Sequence, residues 1–177
     1  RQSFDNLFVD DEAAFAEITE LLIQQGHRDI CMISGKGGPE YLRVSGYKRA
    51  VQKANIKPFI QLEKDFNEDG GIAAMQGILR RKTAPSAIVA ANDLMAIGCM
   101  KVISTVGLRI PEEIVVTGFD NIPAAQLVSP SLTTIDRFQG DIAERAAKII
   151  IGRLNKQVIG QGQTIKQPYK IIRRNSA

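Results

Sequence analysis

The chain has 177 residues, 44% apolar and 24% charged, with a net charge of +4. That apolar content is enough to bury a core and argues against disorder. No run reaches the length of a bilayer span, residues 1–12 lack the apolar centre of a secretory signal, and Cys31 and Cys99 lie far apart without a CxxC pattern, so we expect a cytoplasmic protein with two buried free thiols.

Taken in chain order, the apolar period alternates between that of a helix and that of a strand. Ala14, Ile18, Leu21 and Leu22 mark a helix from about Asp11 to Gln25, ended by Gly26, and Ile30 to Ile33 follows as a buried strand. Val44, Tyr47, Val51 and Ala54 give a second helix, Pro58 to Leu62 a second strand, and Ile72, Met75 and Leu79 a third helix. Ala87 to Ala91 is the third strand; Asn92-Asp93 caps a helix through Leu94, Ile97, Met100 and Ile103 that Gly107 closes. Ile114 to Thr117 is the fourth strand, followed by a short helix up to Val128 and an extended Leu132 to Ile135. A long helix from Gln139 to Leu154, a flexible segment from Gln157 to Gln163 and a last strand near Tyr169 to Ile172 complete the order.

Alternating helices and strands with right-handed crossovers predict a Rossmann-like α/β fold with a doubly wound parallel sheet. Ligands of such sheets bind beyond the carboxyl ends of the strands, where strand order reverses. Arg43, Asn92 and Asp120 fall at those ends, and Phe66 follows the second strand. A guanidinium, an amide and a carboxylate together satisfy hydroxyls or a purine edge, and an aromatic ring supplies a flat wall. Each residue also has a structural reading. Asn92 can be only a helix cap, Asp120 can cap a helix starting at Asn121, Phe66 can be core, and Arg43, at a helix start, needs a partner such as Asp120.

Catalysis and direct nucleic-acid contact find little support. Ser34-Gly35-Lys36-Gly37-Gly38-Pro39 fits neither GxGxxG nor the P-loop pattern. His27 is the only histidine, which excludes a histidine metal cluster, and its place after Gly26 reads as a helix terminus. Asp10, Asp11 and Glu12 suit a helix N-terminus, and no cofactor is called for. The basic groups Arg80-Arg81-Lys82 and Lys166, Lys170, Arg173 and Arg174 have no interleaved aromatics and no helix-turn-helix pattern, so they read as solvated surface charge.

Several motifs in order resemble the lactose-repressor/galactose-repressor family of transcriptional regulators. These are Gly26-His27-Arg28, Arg43-Val44-Ser45-Gly46-Tyr47, the run Ala91 to Gly98, Gly107-Leu108-Arg109-Ile110-Pro111, Val116 to Asn121, Pro130-Ser131-Leu132-Thr133-Thr134-Ile135, and Arg173-Arg174-Asn175-Ser176. The resemblance runs from about Val9 to Ser176 and implies a periplasmic-binding-protein-like (type I) lobe. It assigns effector contact to Arg43, Asn92 and Asp120, and stacking to Phe66. It also implies that the helix-turn-helix headpiece and most of a first lobe would precede Arg1. Residues 1–10 would then end that lobe and cross over, 11–135 would form the C-terminal lobe, and 136–177 would return toward the first lobe and finish in a strand.

On that basis the chain is expected to be the effector-binding and dimerising region of a regulator, with no enzymatic activity and no membrane partner. Its partners would be a sugar or purine-like effector, a second copy, and operator DNA reached only through the headpiece. Ile97, Lys101 and Val128 are candidate dimer contacts, although the apolar pair could equally face the core. The helix from Gln139 to Leu154 should expose an apolar face. A periplasmic sugar-binding protein is the competing reading, and the Pro-x-Leu-Thr-Thr and Arg-Arg-Asn-Ser motifs favour the regulator; a nucleotide-using α/β enzyme is a third.

Overall fold

A computed structural model describes residues 4–36, 40–81 and 83–177. The glycine-rich stretch 37–39 and Lys82 lie outside the described residues. The elements in order are β1 (Asn6–Val9), α1 (Asp11–Gln24), β2 (Ile30–Gly35), α2 (Glu40–Lys53), β3 (Phe59–Glu63), α3 (Glu68–Leu79) and β4 (Ala87–Ala90). They continue with α4 (Asp93–Thr105), β5 (Val115–Thr117), α5 (Ala124–Leu127), β6 (Thr134–Asp136), α6 (Gln139–Leu154), β7 (Thr164–Gln167) and β8 (Lys170–Ile172).

The main sheet is parallel, in the order β3-β2-β4-β5. Strand order reverses between β2 and β4, so the cleft that a doubly wound sheet opens for ligands lies beyond their carboxyl ends. β2 and β4 are buried along their whole length, as expected of strands covered on both faces. Helices α1 and α2 pack together, as do α3 and α4. Glycines allow both close approaches. A Cβ on Gly46 would lie 2.1 Å from the Glu12 carbonyl oxygen of α1, and one on Gly98 2.2 Å from the Glu68 carbonyl oxygen of α3.

Helix ends follow the sequence signals. Asp10 caps α1 through Ala13 N, Asn67 caps α3 through Gly70 N, and Asn92 caps α4 through Met95 N. Gly26 and Gly107 take left-handed φ values of 100° and 81° just past α1 and α4, a region that costs an L side chain but not glycine. In the core, the buried Tyr47 hydroxyl donates to the Ile30 carbonyl (2.8 Å) and accepts from Phe59 N (3.0 Å), tying α2 to the starts of β2 and β3.

Residues beyond Leu132 depart from this layering. Thr133 bridges to Thr117 at the edge of β5, β6 pairs with β8 antiparallel, and β7 pairs with β1 in parallel. The sequence pattern missed β7, since Thr164–Gln167 is short and mostly polar, with a single buried residue, and no apolar alternation marks it. Only Gly152 of α6 is buried, and Ile150, Ile151 and Leu154 are 59, 55 and 77% exposed. The helix end is held by polar bonds instead: Arg153 forks onto both carboxylate oxygens of Asp5, at 2.8 and 3.0 Å, and donates to the Gly160 and Gln161 carbonyls. The expected apolar face of this helix is therefore present.

One carboxylate that the sequence marked only as part of a cap is central to the fold. Asp93 is fully buried; its Oδ1 accepts from the Thr134 hydroxyl (2.5 Å) and its Oδ2 from Ile122 N (2.9 Å). It thereby joins α4 to the loop after β5 and to β6. Burial pushes its pKa from 3.8 up to about 6, aided by the charge of Asp120 and opposed by those two hydrogen bonds and by Arg174. The folded chain thus holds this proton more tightly than the unfolded chain, so folding stability falls as pH rises from about 4 to about 6 and then levels. The full effect is on the order of 3 kcal/mol. Urea denaturation at several pH values should show this decline in the native chain and a much flatter profile in Asp93→Asn. An equal decline in both would contradict the assignment.

Candidate functional site

The carboxyl ends of the strands converge on the Arg43 guanidinium. Arg43 sits in the first turn of α2 and is 4% exposed. A cation so far from water must be compensated, and three groups do this. Its Nε donates to Asp11 Oδ2 (2.8 Å), its Nη1 donates to the Ala91 carbonyl (2.6 Å), and its Cζ lies 4.2 Å from the Phe119 ring centroid. Rings of Phe15 and Phe66 stand at 5.7 Å, within reach of a cation–π attraction, and Phe15 and Phe119 pack with centroids 5.3 Å apart. The expected pairing of Arg43 with Asp120 is thus corrected: the partner is Asp11. The reason is topological, because α1 and α2 lie side by side and bring Asp11 in line with the guanidinium.

Asp120 instead faces Arg137, whose Nε is 2.9 Å from Oδ1 in an ion pair. That oxygen is buried and receives no hydrogen bond. Burial pushes the Asp120 carboxyl above its ordinary pKa, Arg137 and Arg43 pull it down, and Asp11 pushes it up. The helix-cap reading of Asp120 fails, since α5 starts at Ala124 and Asp93 accepts from Ile122 N. Asp120 and Asn121 both have left-handed backbones (φ 110° and 53°), which short polar residues tolerate better than others. This turn carries Asn121 to Asp136 (2.9 Å) and Arg174 (2.7 Å), linking the strand end to β6 and the C-terminal segment.

Asn92 serves as the cap and as a brace: its Oδ1 accepts from Met95 N (2.8 Å) and its Nδ2 donates to the Phe66 carbonyl (3.0 Å). Phe66 is half-buried against the core, and a Cβ on Gly35 would meet its ring at 2.8 Å. The structure therefore brings the four sequence-derived residues to one end of the sheet. It adds Asp11, Phe119 and Arg137, which the sequence reading missed. Asp11 looked like a dipole-favouring residue; Phe119 and Arg137 stand beside Asp120 and Asp136 in the chain, but only the fold aims them inward.

The remaining expectations fall elsewhere. Ile97, Lys101 and Val128 line a surface groove of about 440 Å³, with Ile97 95% covered by its own core and Lys101 paired with Glu68. His27 Nδ1 lies 3.0 Å from the Ser86 hydroxyl at the opposite end of the strands. Cys31 and Cys99 are free and buried. Among the described residues no His, Cys, Asp and Glu gather as a metal-binding group, and no helix is long and apolar enough to cross a membrane.

With this geometry in view, the family model of the periplasmic binding protein-like domain matches residues 19–177. The chain belongs to this family, on its lactose-repressor/galactose-repressor branch. It is 34% identical over 161 residues to the HTH-type transcriptional repressor PurR of Pasteurella multocida, covering 89% of this chain and 48% of that protein. To the ribose operon repressor of Escherichia coli K12 it is 32% identical over 163 residues, covering 90% and 49%. The chain thus spans about half the length of these curated relatives. Among solved structures it superposes on the Escherichia coli transcriptional repressor ascG (TM-score 0.85, 28% identity, 97% of this chain and 63% of that one). A LacI-type transcription regulator from Bifidobacterium animalis subsp. lactis superposes with a TM-score of 0.88 at 27% identity, covering 98% and 67%.

The Arg43–Asp11 pair yields a direct test. Removing one member leaves a buried charge without its partner, a loss of about 3–5 kcal/mol. Arg43→Ala should therefore be strongly destabilised in urea, and Asp11→Ala/Arg43→Ala should lose clearly less than the two single losses added. Strict additivity would show that the pair is not coupled.

Proposed function

We propose that the chain is the effector-binding and dimerising region of a DNA-binding transcriptional repressor, and that its effector, a sugar or purine-like metabolite, docks at Arg43, Phe66, Asn92 and Asp120. The observation that carries this reading is the convergence at the strand ends of a buried guanidinium, anchored by Asp11, Ala91 and Phe119, with the Asp120 carboxylate, whose buried Oδ1 is ion-paired with Arg137 but takes no aligned hydrogen bond. A hydroxyl or ring N–H from a ligand would add the aligned hydrogen bond that this ion-paired oxygen lacks. Among the described residues the site has no nucleophile beside a base, which favours binding over turnover. The repressor relatives favour a cytoplasmic regulator over a periplasmic transport component.

In this reading residues 11–135 form one wall of the effector cleft, and 136–177 return toward a second lobe formed by a preceding segment, with residues 1–10 crossing between them. The exposed Ile150, Ile151 and Leu154 of α6 would be buried against that lobe. Operator DNA would be bound by a separate headpiece, and Ile97, Lys101 and Val128 would contribute to contact between copies. Effector would then act by binding two lobe arrangements with different affinity, which sets the size of the switch.

Asp120→Asn is the cleanest probe, because asparagine tolerates the left-handed backbone and leaves Arg43 in place. A thermal-shift screen of sugars, nucleobases and nucleosides on the intact protein identifies the effector, and calorimetry then measures it. We expect Asp120→Asn to weaken binding by about tenfold or more with little change in melting temperature. Unchanged affinity would remove Asp120 from the site.

A further inference from the structure

The end of the sheet away from the proposed effector site carries a second concavity. A groove of about 740 Å³ opens where β2 and β3 begin, lined by Arg28 and Asp29 before β2, Asn55 and Lys57 in the turn after α2, Phe59 of β3, and Arg81 beyond α3. β2 alone spans six residues, so this groove and the carboxyl strand ends lie about 20 Å apart along the sheet.

Its charge is unbalanced. Arg28, Lys57 and Arg81 face a single acid, Asp29. Several exposed cations elsewhere have carboxylate partners, such as Arg49 with Glu12 and Lys166 with Asp10, and those without one, such as Lys48, Lys64 and Lys170, do not line this groove. Among the described residues, no carboxylate forms an ion pair with Arg28, Lys57 or Arg81.

Two of the three side chains are also placed in advance. The Arg81 guanidinium lies over Phe59, its Cζ 3.9 Å from the ring centroid, which holds it against the groove floor and leaves its N–H donors for another acceptor. Arg28 is held by bonds from Nη1 to the Ile23 and His27 carbonyls, 2.9 and 3.1 Å. Phe59 is itself fixed by the Tyr47 hydroxyl on its backbone N–H, so the floor of the groove belongs to the core. Ordering a long side chain is part of what binding costs, and here much of that ordering is already done.

We infer that this groove is a second ligand site, for a small phosphate-bearing anion, with Arg81 and Lys57 as its principal contacts and Arg28 at its rim. A fixed guanidinium beside a flexible ammonium suits phosphoryl oxygens, the first offering two parallel donors and the second a point charge. The volume suits a small molecule. The site is independent of the effector reading, since it shares no residue with it. The basic cluster at the end of α3, which read as solvated charge, thereby gains a specific role at Arg81.

Calorimetric titration of the intact protein with pyrophosphate and with ADP, at about 0.15 M salt, tests the inference. The expected result is saturable one-to-one binding of pyrophosphate that weakens at least about tenfold in Lys57→Ala/Arg81→Ala. Both positions are exposed, so the variant should keep its melting temperature, and Asp120→Asn should bind pyrophosphate as the native chain does. Three results would overturn it: no saturable heat with either anion, equal affinity in the double variant, or loss of binding in Asp120→Asn instead. A DNA duplex that binds in place of pyrophosphate, and is lost in the double variant, would also overturn it by assigning the groove to nucleic acid.

Discussion

A guanidinium stripped of water has to be compensated at every side, and the way Arg43 is compensated organises the carboxyl end of the sheet. Asp11 comes from the first turn of α1, Ala91 from the residue after β4, and Phe119 from the loop after β5. One comes from a helix and two follow neighbouring strands of the sheet, so the bonds of one side chain fix the relative height of α1, α2 and two strand ends. The α1–α2 contact that aligns Asp11 with Arg43 depends in turn on the bare backbone of Gly46 against Glu12. The polar centre and the close helix packing are therefore one constraint.

From this centre, two polar routes run to the segments that leave the sheet. Asp93 ties the start of α4 to β6 through Thr134, and Asn121 ties the turn after β5 to Asp136 and Arg174. Both begin next to proposed effector residues, Asn92 and Asp120, and both end on the strands that lead to α6 and to the C-terminus. A ligand at the strand ends would press on the same backbone that positions these segments. This is the kind of two-state coupling that a sensing domain requires, provided the ligand binds the two arrangements unequally.

Much of the fold was legible in the sequence because local signals and global packing agree. Gly26 and Gly107 stop helices where the apolar period stops, Asn92 both breaks a strand and caps a helix, and β2 and β4 are apolar throughout because both faces are covered. What stayed hidden is what depends on distant partners. Asp11 lies 32 positions from Arg43, and nothing in Asp10-Asp11-Glu12 distinguishes the buried member from its half-buried neighbours. β7 carries no pattern because it buries only the polar Gln167, and the role of Asp93 rests on Thr134 and Ile122, both far from it in sequence.

The central claim is that the carboxyl end of this sheet is where ligand is sensed. Amide hydrogen exchange, with and without the metabolite that most raises the melting temperature, tests it most directly, since exchange reports local opening segment by segment. The account predicts slowed exchange in the stretches around Arg43, Ala91 to Met95 and Phe119 to Ile122. Slowed exchange confined to segments away from the strand ends, with those stretches unchanged, would contradict it.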